Sequence, residues 1–284
     1  LFPSIKAVGE KKADRIFYLT AKTVTAAVAD ETFRLLRNRG LCFRTVMLTA
    51  RDKICFLEEA ECNPEACPYA KGHYDRINGA LFDLLTSGEN YCREKVEAYA
   101  RKHRVCPFEL GLDLSLFSDG VICDYNYVFD PHVYLRRFFG DGSQKGEWIF
   151  LVDEAHNLLE RGREMYSAAV YKEDFLALKR TVKAYDIRME KHLEKCNREL
   201  LMLKKECDGF RIVEDIDPFI QALIRLSGVM EEFLENHEDS PVRREVLEFY
   251  FEVSHFLQIW ELVDGKYVIY TEFDEEGRFF LKLF

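Results

Sequence analysis

Apolar residues run in short continuous blocks through the first half of the chain and at spacings of three and four through much of the second. RIFYLTA (Arg15 to Ala21), FRTVMLTA (Phe43 to Ala50), GVICDYNYVF (Gly120 to Phe129) and WIFLVDEA (Trp148 to Ala155) are blocks rich in β-forming residues. Continuous rather than alternating hydrophobicity suits strands of a parallel sheet covered on both faces. TVTAAVADETFRLLRNRG, between the first two blocks, reads as a helix with Gly40 as its stop, because glycine reaches the left-handed conformation that ends helices without a Cβ clash. Strand, helix, strand is the elementary piece of a parallel α/β sheet. The segment from about Asp52 to Cys106 then becomes an insertion between two strands of that sheet.

From about Glu160 to Leu262 the pattern turns helical. Phe175, Leu178, Val182, Tyr185 and Met189 form one apolar stripe, predicting a long helix that continues to about Cys207. Asp217 before Pro218, and Ser240 before Pro241, predict N-caps followed by proline in the first helical position of two further helices. KYVIYTEF and RFFLKLF flank DEEG as a β-hairpin with Gly277 in the turn. The fold class expected is α/β plus all-α: a partial parallel sheet, an inserted cysteine-bearing domain and a helical domain.

Composition narrows the class. With 284 residues, 48% hydrophobic and 32% charged, the chain can bury a core and form more than one domain. No apolar run approaches the roughly 20 residues that span a bilayer. The opening LFPSIKAVGEKKADR lacks the apolar centre of a signal peptide, so a cytoplasmic setting away from membranes is expected. Nine cysteines in a reducing compartment argue against a disulfide framework and toward metal binding for those that cluster. A net charge of −10 means that a nucleic-acid partner would need basic residues gathered in one place.

Two constellations carry chemistry. WIFLVDEAH ends a predicted buried strand in Asp153 and Glu154, at the carboxyl edge where α/β sheets bind ligands. One carboxylate can hold a hydrated Mg²⁺, and its neighbour can orient or deprotonate a water attacking a phosphate. His156 follows at the entry to the next element. The second constellation is Cys55, Cys62, Cys67 and Cys106, spaced C-x6-C-x4-C-x38-C. Four thiolates complete either a tetrahedral zinc site or a four-iron cluster, and spacing alone does not choose between them. Pro68 and Pro107 fix the chain directly after two of these cysteines, and Pro107 would place Cys106 at a helix N-terminus. Cys92 lies between as a rival ligand; Cys42, Cys123, Cys196 and Cys207 read as core or surface thiols.

Taken in order, YLTAKT on a strand, R-x-x-x-C, a four-cysteine insertion closing on C-P-F, then DEAH and a helical segment resemble the XPD/DinG group of superfamily 2 helicases across essentially the whole chain. The resemblance implies a partial RecA-like first motor domain at 1–52 and 107–158 and an iron–sulfur domain at 53–106. It further implies a helical Arch domain at 159–262 and, at 263–284, a hairpin opening the second motor domain. YLTAKT resembles motif Ia, implying that Thr20, Lys22 and Thr23 contact single-stranded DNA, with Arg51 beside the cluster and the DNA path. VDEAH resembles motif II, implying a magnesium role for Asp153, a catalytic-base role for Glu154 and a coupling role for His156. The four cysteines then imply a [4Fe–4S] cluster, and the parent enzyme an Mg²⁺- and ATP-dependent helicase. It would move 5′ to 3′ on single-stranded and forked DNA, with protein partners for the Arch domain and a nucleoid association in a prokaryote.

The sequence also departs from the family. The phosphate-binding pattern G-x-x-x-x-G-K-[ST] does not occur in it, so ATP turnover by this polypeptide alone is not expected. Basic residues bracket the proposed cluster: Arg51, Lys53, Lys71 and Arg76 with Tyr74 on one side, Arg101, Lys102 and Arg104 on the other. They suit a DNA strand, although EKVEAYARKHR equally reads as a charge-paired helix. Tyr125 and Tyr127 could stack on bases or pack. The competing reading is a non-enzymatic zinc-binding module that docks proteins through its helical domain.

Overall fold

The computed structural model describes residues 1–58, 62–140, 142 and 146–284. They divide into two compact units, Leu1–Leu159 and Glu160–Phe284. The elements of the first are α1 (Phe2–Gly9), β1 (Arg15–Leu19), α2 (Thr23–Arg37), β2 (Thr45–Met47), α3 (Arg51–Ile54), α4 (His73–Thr86), β3 (Asn90–Tyr91), α5 (Arg93–His103), α6 (Pro107–Ser115), β4 (Gly120–Cys123), α7 (Asn126–Phe129), α8 (Arg136–Phe139) and β5 (Trp148–Val152). After them come a 3₁₀ turn at Ala155–Asn157, α9 (Leu158–Met165), β6 (Ala168–Tyr171), α10 (Lys172–Val182), α11 (Ile187–Lys205), β7 (Phe210–Ile212), α12 (Asp217–Asn236), α13 (Arg243–Trp260), β8 (Ile269–Phe273) and β9 (Phe279–Leu283).

The first unit is built on a parallel five-stranded sheet in the order β3-β2-β4-β1-β5. All of β4 is buried, as are Ile16, Phe17 and Leu19 of β1. The apolar face of α2 lays Ala29 and Phe33 against Ile16 and Ile122, with Phe33 stacked on Phe43 at 5.5 Å. Gly120 opens β4 beneath Phe43, whose ring would lie 3.0 Å from any Cβ there.

Three expectations change here. The cysteine-bearing insertion supplies a strand of its own, since β3 pairs Asn90 and Tyr91 with Thr45 and Val46. GVICDYNYVF is a strand only to Cys123. Asp124 Oδ1 accepts the Asn126 N–H at 3.0 Å, an Asx turn that stops the strand and starts α7. The DEAH strand β5 is an edge strand rather than one covered on both faces, and Phe150 stays 41% exposed within a cluster of Phe17, Phe138, Phe139 and Trp148.

In the second unit four helices share their core with an antiparallel sheet in the order β6-β9-β8-β7. Phe279, Leu281 and Leu283 point into that core with Phe175, Leu193, Leu223 and Phe256. The closing hairpin is therefore part of the helical unit and not a separate element at 263–284, and β6 and β7 are strands inside a stretch expected to be all-helical. The predicted long helix is two, because Asp186 caps α11 by accepting the Met189 N–H at 2.8 Å, and Tyr185 is left 52% exposed. Helix α12 begins at Asp217 itself, with Ile216 as its cap. Ser240 and Pro241 form a turn ahead of α13, which starts at Arg243. Among the described residues no helix is long and apolar enough to cross a membrane.

Candidate functional site

Parallel register pairs Leu19 with both Cys123 and Val152. Thr20, Asp124 and Asp153 consequently leave the sheet side by side at its carboxyl edge. Two backbone bonds extend the ladder past the strands: Thr20 N–H donates to Cys123 O at 3.0 Å and Asp153 N–H to Leu19 O at 2.9 Å. The Thr20 side chain is buried. Its hydroxyl donates to Asp153 Oδ2 at 3.4 Å, accepts the Lys22 N–H at 3.3 Å and lies against the Thr25 hydroxyl. Lys22 Nζ meets Glu154 Oε1 at 3.5 Å, and His156 Nε2 meets Glu154 Oε2 at 3.4 Å, on an open surface. Burial, reinforced by the Asp153 carboxylate, pushes the Tyr18 phenol above its ordinary range.

Of the residues assigned to DNA, Thr20 faces Asp153, while Lys22 and Thr23 are exposed at the start of α2 and Arg51 is exposed at the start of α3. Glu154 adopts φ +50°, a conformation that costs a non-glycine residue about 1–3 kcal/mol and collects at functional turns. Tyr125 belongs to this site as well: its buried hydroxyl donates to the Asp153 carbonyl oxygen and holds the turn in place. The sequence offers no signal for that bond beyond an aromatic residue two positions past a strand. Tyr127 Oη likewise reaches Thr49 O at 3.5 Å, and burial pushes its phenol upward. Both tyrosines pack.

In the cysteine-bearing insertion, Cys55 ends α3 half-buried, Cys62 is exposed, Cys67 is buried and Cys106 caps α6 ahead of Pro107. Burial pushes the Cys106 thiol up; the Phe108 and Glu109 N–H groups oppose that, and the nearby Cys62 adds to it. His73, buried in α4, accepts the Cys106 N–H on Nδ1 at 3.2 Å. Four free thiols are a fitting donor set for a thiolate-bound centre. Their geometry does not close one, since among the described residues no three His, Cys, Asp or Glu side chains are arranged to hold a metal ion. Cys92 caps α5, and burial raises its thiol. Cys123, Cys196 and Cys207 are core residues, Cys196 being pushed up to about 12 by burial.

The basic residues of this insertion divide. Arg76 is spent internally, donating to the Lys71 and Arg104 carbonyls at 2.6 Å each. Lys102 pairs with Asp83 at 2.6 Å, and Arg101 lies 3.7 Å over the Phe56 ring. Arg51, Lys53, Lys71 and Arg104 remain exposed.

Against known proteins, the family model DEAD_2 matches residues 29–175, just over half of the chain. The chain is 25% identical over 167 residues to a Fanconi anemia group J protein homolog of Gallus gallus, covering 57% of the chain and 13% of that protein. It is 23% identical over 235 residues to a regulator of telomere elongation helicase 1 homolog of Anopheles gambiae, covering 74% and 23%. To the general transcription and DNA repair factor IIH helicase subunit XPD of Arabidopsis thaliana it is 24% identical over 194 residues, covering 63% and 22%. The chain thus spans less than a quarter of the length of these relatives. Two solved structures share its fold. One titled XPD_Helicase gives TM-score 0.52 at 13% identity, covering 99% of this chain and 48% of that one. One titled Truncated XPD gives 0.57 at 14%, covering 96% and 76%.

Proposed function

The chain belongs to the DEAD_2 family, among helicases of the XPD/DinG type of superfamily 2, and from that premise we propose that it serves as part of an ATP-dependent 5′-to-3′ DNA helicase. The observation that carries the reading is the meeting of Thr20, Lys22, Asp153 and Glu154 at the carboxyl edge of one parallel sheet. Asp153 would hold the hydrated Mg²⁺ of the nucleotide, and Glu154 would take the proton of the attacking water. Tyr125 and Thr20 fix Asp153 from behind, on its carbonyl and its carboxylate. Lys22, Thr23 and Arg51 supply exposed donors for a DNA strand, which needs cations for its phosphates. Residues 53–106 would form the cluster-bearing wedge and 159–262 the core of an Arch domain, with the closing hairpin included in it. Cys55, Cys62, Cys67 and Cys106 would be the ligands.

In the parent enzyme, Asp153→Asn or Glu154→Gln should reduce ATP hydrolysis by at least about 100-fold while leaving the fold intact; turnover within twofold of the parent would sink the assignment. The centre is tested separately on anaerobically prepared protein. Absorbance at about 400 nm and about four irons per chain support the cluster, whereas a colourless protein with one zinc would replace it by a structural zinc site.

A further inference from the structure

The helices of the second unit pack on one face of its four-stranded sheet, and the side chains of the other face are partly to largely exposed. On that open face Phe210 (β7), Tyr270 (β8), Phe280 (β9) and Tyr171 (β6) form a continuous aromatic ladder across all four strands. Successive ring centroids lie 5.2, 6.1 and 5.5 Å apart. Phe284 extends it, 6.5 Å from Tyr270. Phe210 is 55% exposed and Phe284 45% exposed. Alternation explains the arrangement, since Phe279, Leu281 and Leu283 face the core and their neighbours Phe280, Lys282 and Phe284 face out.

Cations stand over these rings. Arg278 lies 4.5 Å from the Tyr171 centroid, Lys282 5.0 Å and Arg163 5.9 Å from that of Phe284. Arg278 is also held by Asp274 at 2.9 Å, whereas among the described residues neither Lys282 nor Arg163 is in an ion pair. Ile212, 59% exposed and opposite Tyr270 in the register, adds an apolar side chain at the β7 edge of the same face. Rings with free cations beside them match the two needs of a single strand of nucleic acid, flat surfaces for bases and positive charge for phosphates. Glu272 lies on the same face, opposite Phe210 and Phe280 in the register, where its charge disfavours a phosphate, so the cationic part of the face is the Lys282 and Arg163 side.

We propose that this open sheet face is a second binding surface for single-stranded DNA, with bases stacked on Phe210, Tyr270 and Phe280 and phosphates held by Lys282 and Arg163. The choice of DNA rests on the helicase reading above; the aromatic and cationic surface does not. The test is fluorescence anisotropy of labelled oligo(dT) with the 284-residue chain, combined with photocrosslinking of the same oligonucleotide carrying 5-iododeoxyuridine. Tyr270→Ala and Phe280→Ala should each weaken binding about fivefold or more, and Lys282→Glu should weaken it and flatten its salt dependence. Crosslinks to the unaltered chain should map to Tyr270, Phe280 or Phe210, a readout that does not depend on any variant folding. Crosslinks confined to residues 1–159, with the three variants binding like the parent, would overturn the surface while leaving the helicase reading standing. Loss of binding on Lys22→Ala with Arg51→Ala, with Tyr270→Ala, Phe280→Ala and Lys282→Glu all binding like the parent, would do the same. Self-association of the chain that Phe210→Ala abolishes, with no DNA bound to the face, would assign it to a second copy instead.

Discussion

Replacing Thr20 with valine separates two roles for the YLTAKT segment. By resemblance its three polar residues line a DNA strand, but the structure buries Thr20 and turns its hydroxyl to Asp153 Oδ2 at 3.4 Å and to the Lys22 N–H at 3.3 Å. Valine keeps the volume and removes both bonds together with the one to the Thr25 hydroxyl. A net hydrogen bond contributes about 0.5–1.5 kcal/mol, and two of these three are long, so their joint loss should cost about 1–3 kcal/mol of the stability of the first unit. The Lys22 amide is on an exposed residue and regains water; the Asp153 carboxylate, half-buried, does so only in part. Urea unfolding of the chain, followed by probes specific to each unit, should show an earlier transition for residues 1–159 and none for 160–284. Affinity for oligo(dT) should stay within about twofold, because the hydroxyl does not face the strand. Thr23→Ala, at an exposed position on α2, should behave inversely, weakening DNA and sparing stability. A valine variant that binds oligo(dT) tenfold more weakly with an unchanged urea midpoint would refute this placement.

Three further outcomes follow from the same geometry. Phe175→Ala empties a site in the second unit where the ring meets Phe249 at 4.9 Å and Phe219 at 6.0 Å with no exposure; calorimetry should register a loss of about 3–5 kcal/mol in that unit's transition. Asp83 bonds Lys102 and His103, in that order of effect, and these hold its carboxyl below the ordinary range. Such a group contributes stability above its unfolded pKa of about 4 and loses it as pH falls through the lower folded value. Asp83→Asn should therefore lower the urea midpoint at pH 7, and the difference from the parent should shrink below about pH 4; a difference that grew with acid would contradict the sign. Glu154→Gly should relieve the positive-φ turn and raise the stability of the first unit by about 1 kcal/mol, while removing the carboxylate assigned to proton transfer in the parent enzyme; a destabilised variant would show that the turn is held by the side chain.

The first unit was more legible than the second because its signals are local. A parallel strand buried on both faces writes itself as a continuous apolar run, and β1, β2 and β4 were all found that way. The error at Asp124 shows the limit, since an Asx turn of one hydrogen bond decides between strand and helix inside an apolar stretch. The second unit's β6 and β7 are four and three residues long, set between helices, and acquire strand character only by pairing with β9 and β8 more than 50 residues away. No periodicity over so few residues distinguishes them from a loop. The hairpin's own signal was correct, but its partners are remote in sequence, so its place in the helical unit could not be read.

The candidate site shows the same division within itself. Asp153 and Glu154 are visible because a strand ends in two carboxylates, and the sheet register then makes their neighbours inevitable: pairing Leu19 with both Cys123 and Val152 puts Thr20 beside Asp153 whatever else the loops do. What the sequence does not contain is which way each neighbour points. Thr20 and Thr23 are three residues apart in one apparent motif, yet the first ends a buried strand and the second begins an exposed helix. The motif therefore spans the change from sheet to surface. Its buried half braces the Asp153 carboxylate, and its exposed half reaches the surface, where Lys22 pairs with Glu154 and Thr23 opens α2. One hydrogen bond, from Thr20 to Asp153, and two or three residues of backbone therefore join the nucleotide chemistry proposed at Asp153 to the DNA contacts proposed at Lys22 and Thr23.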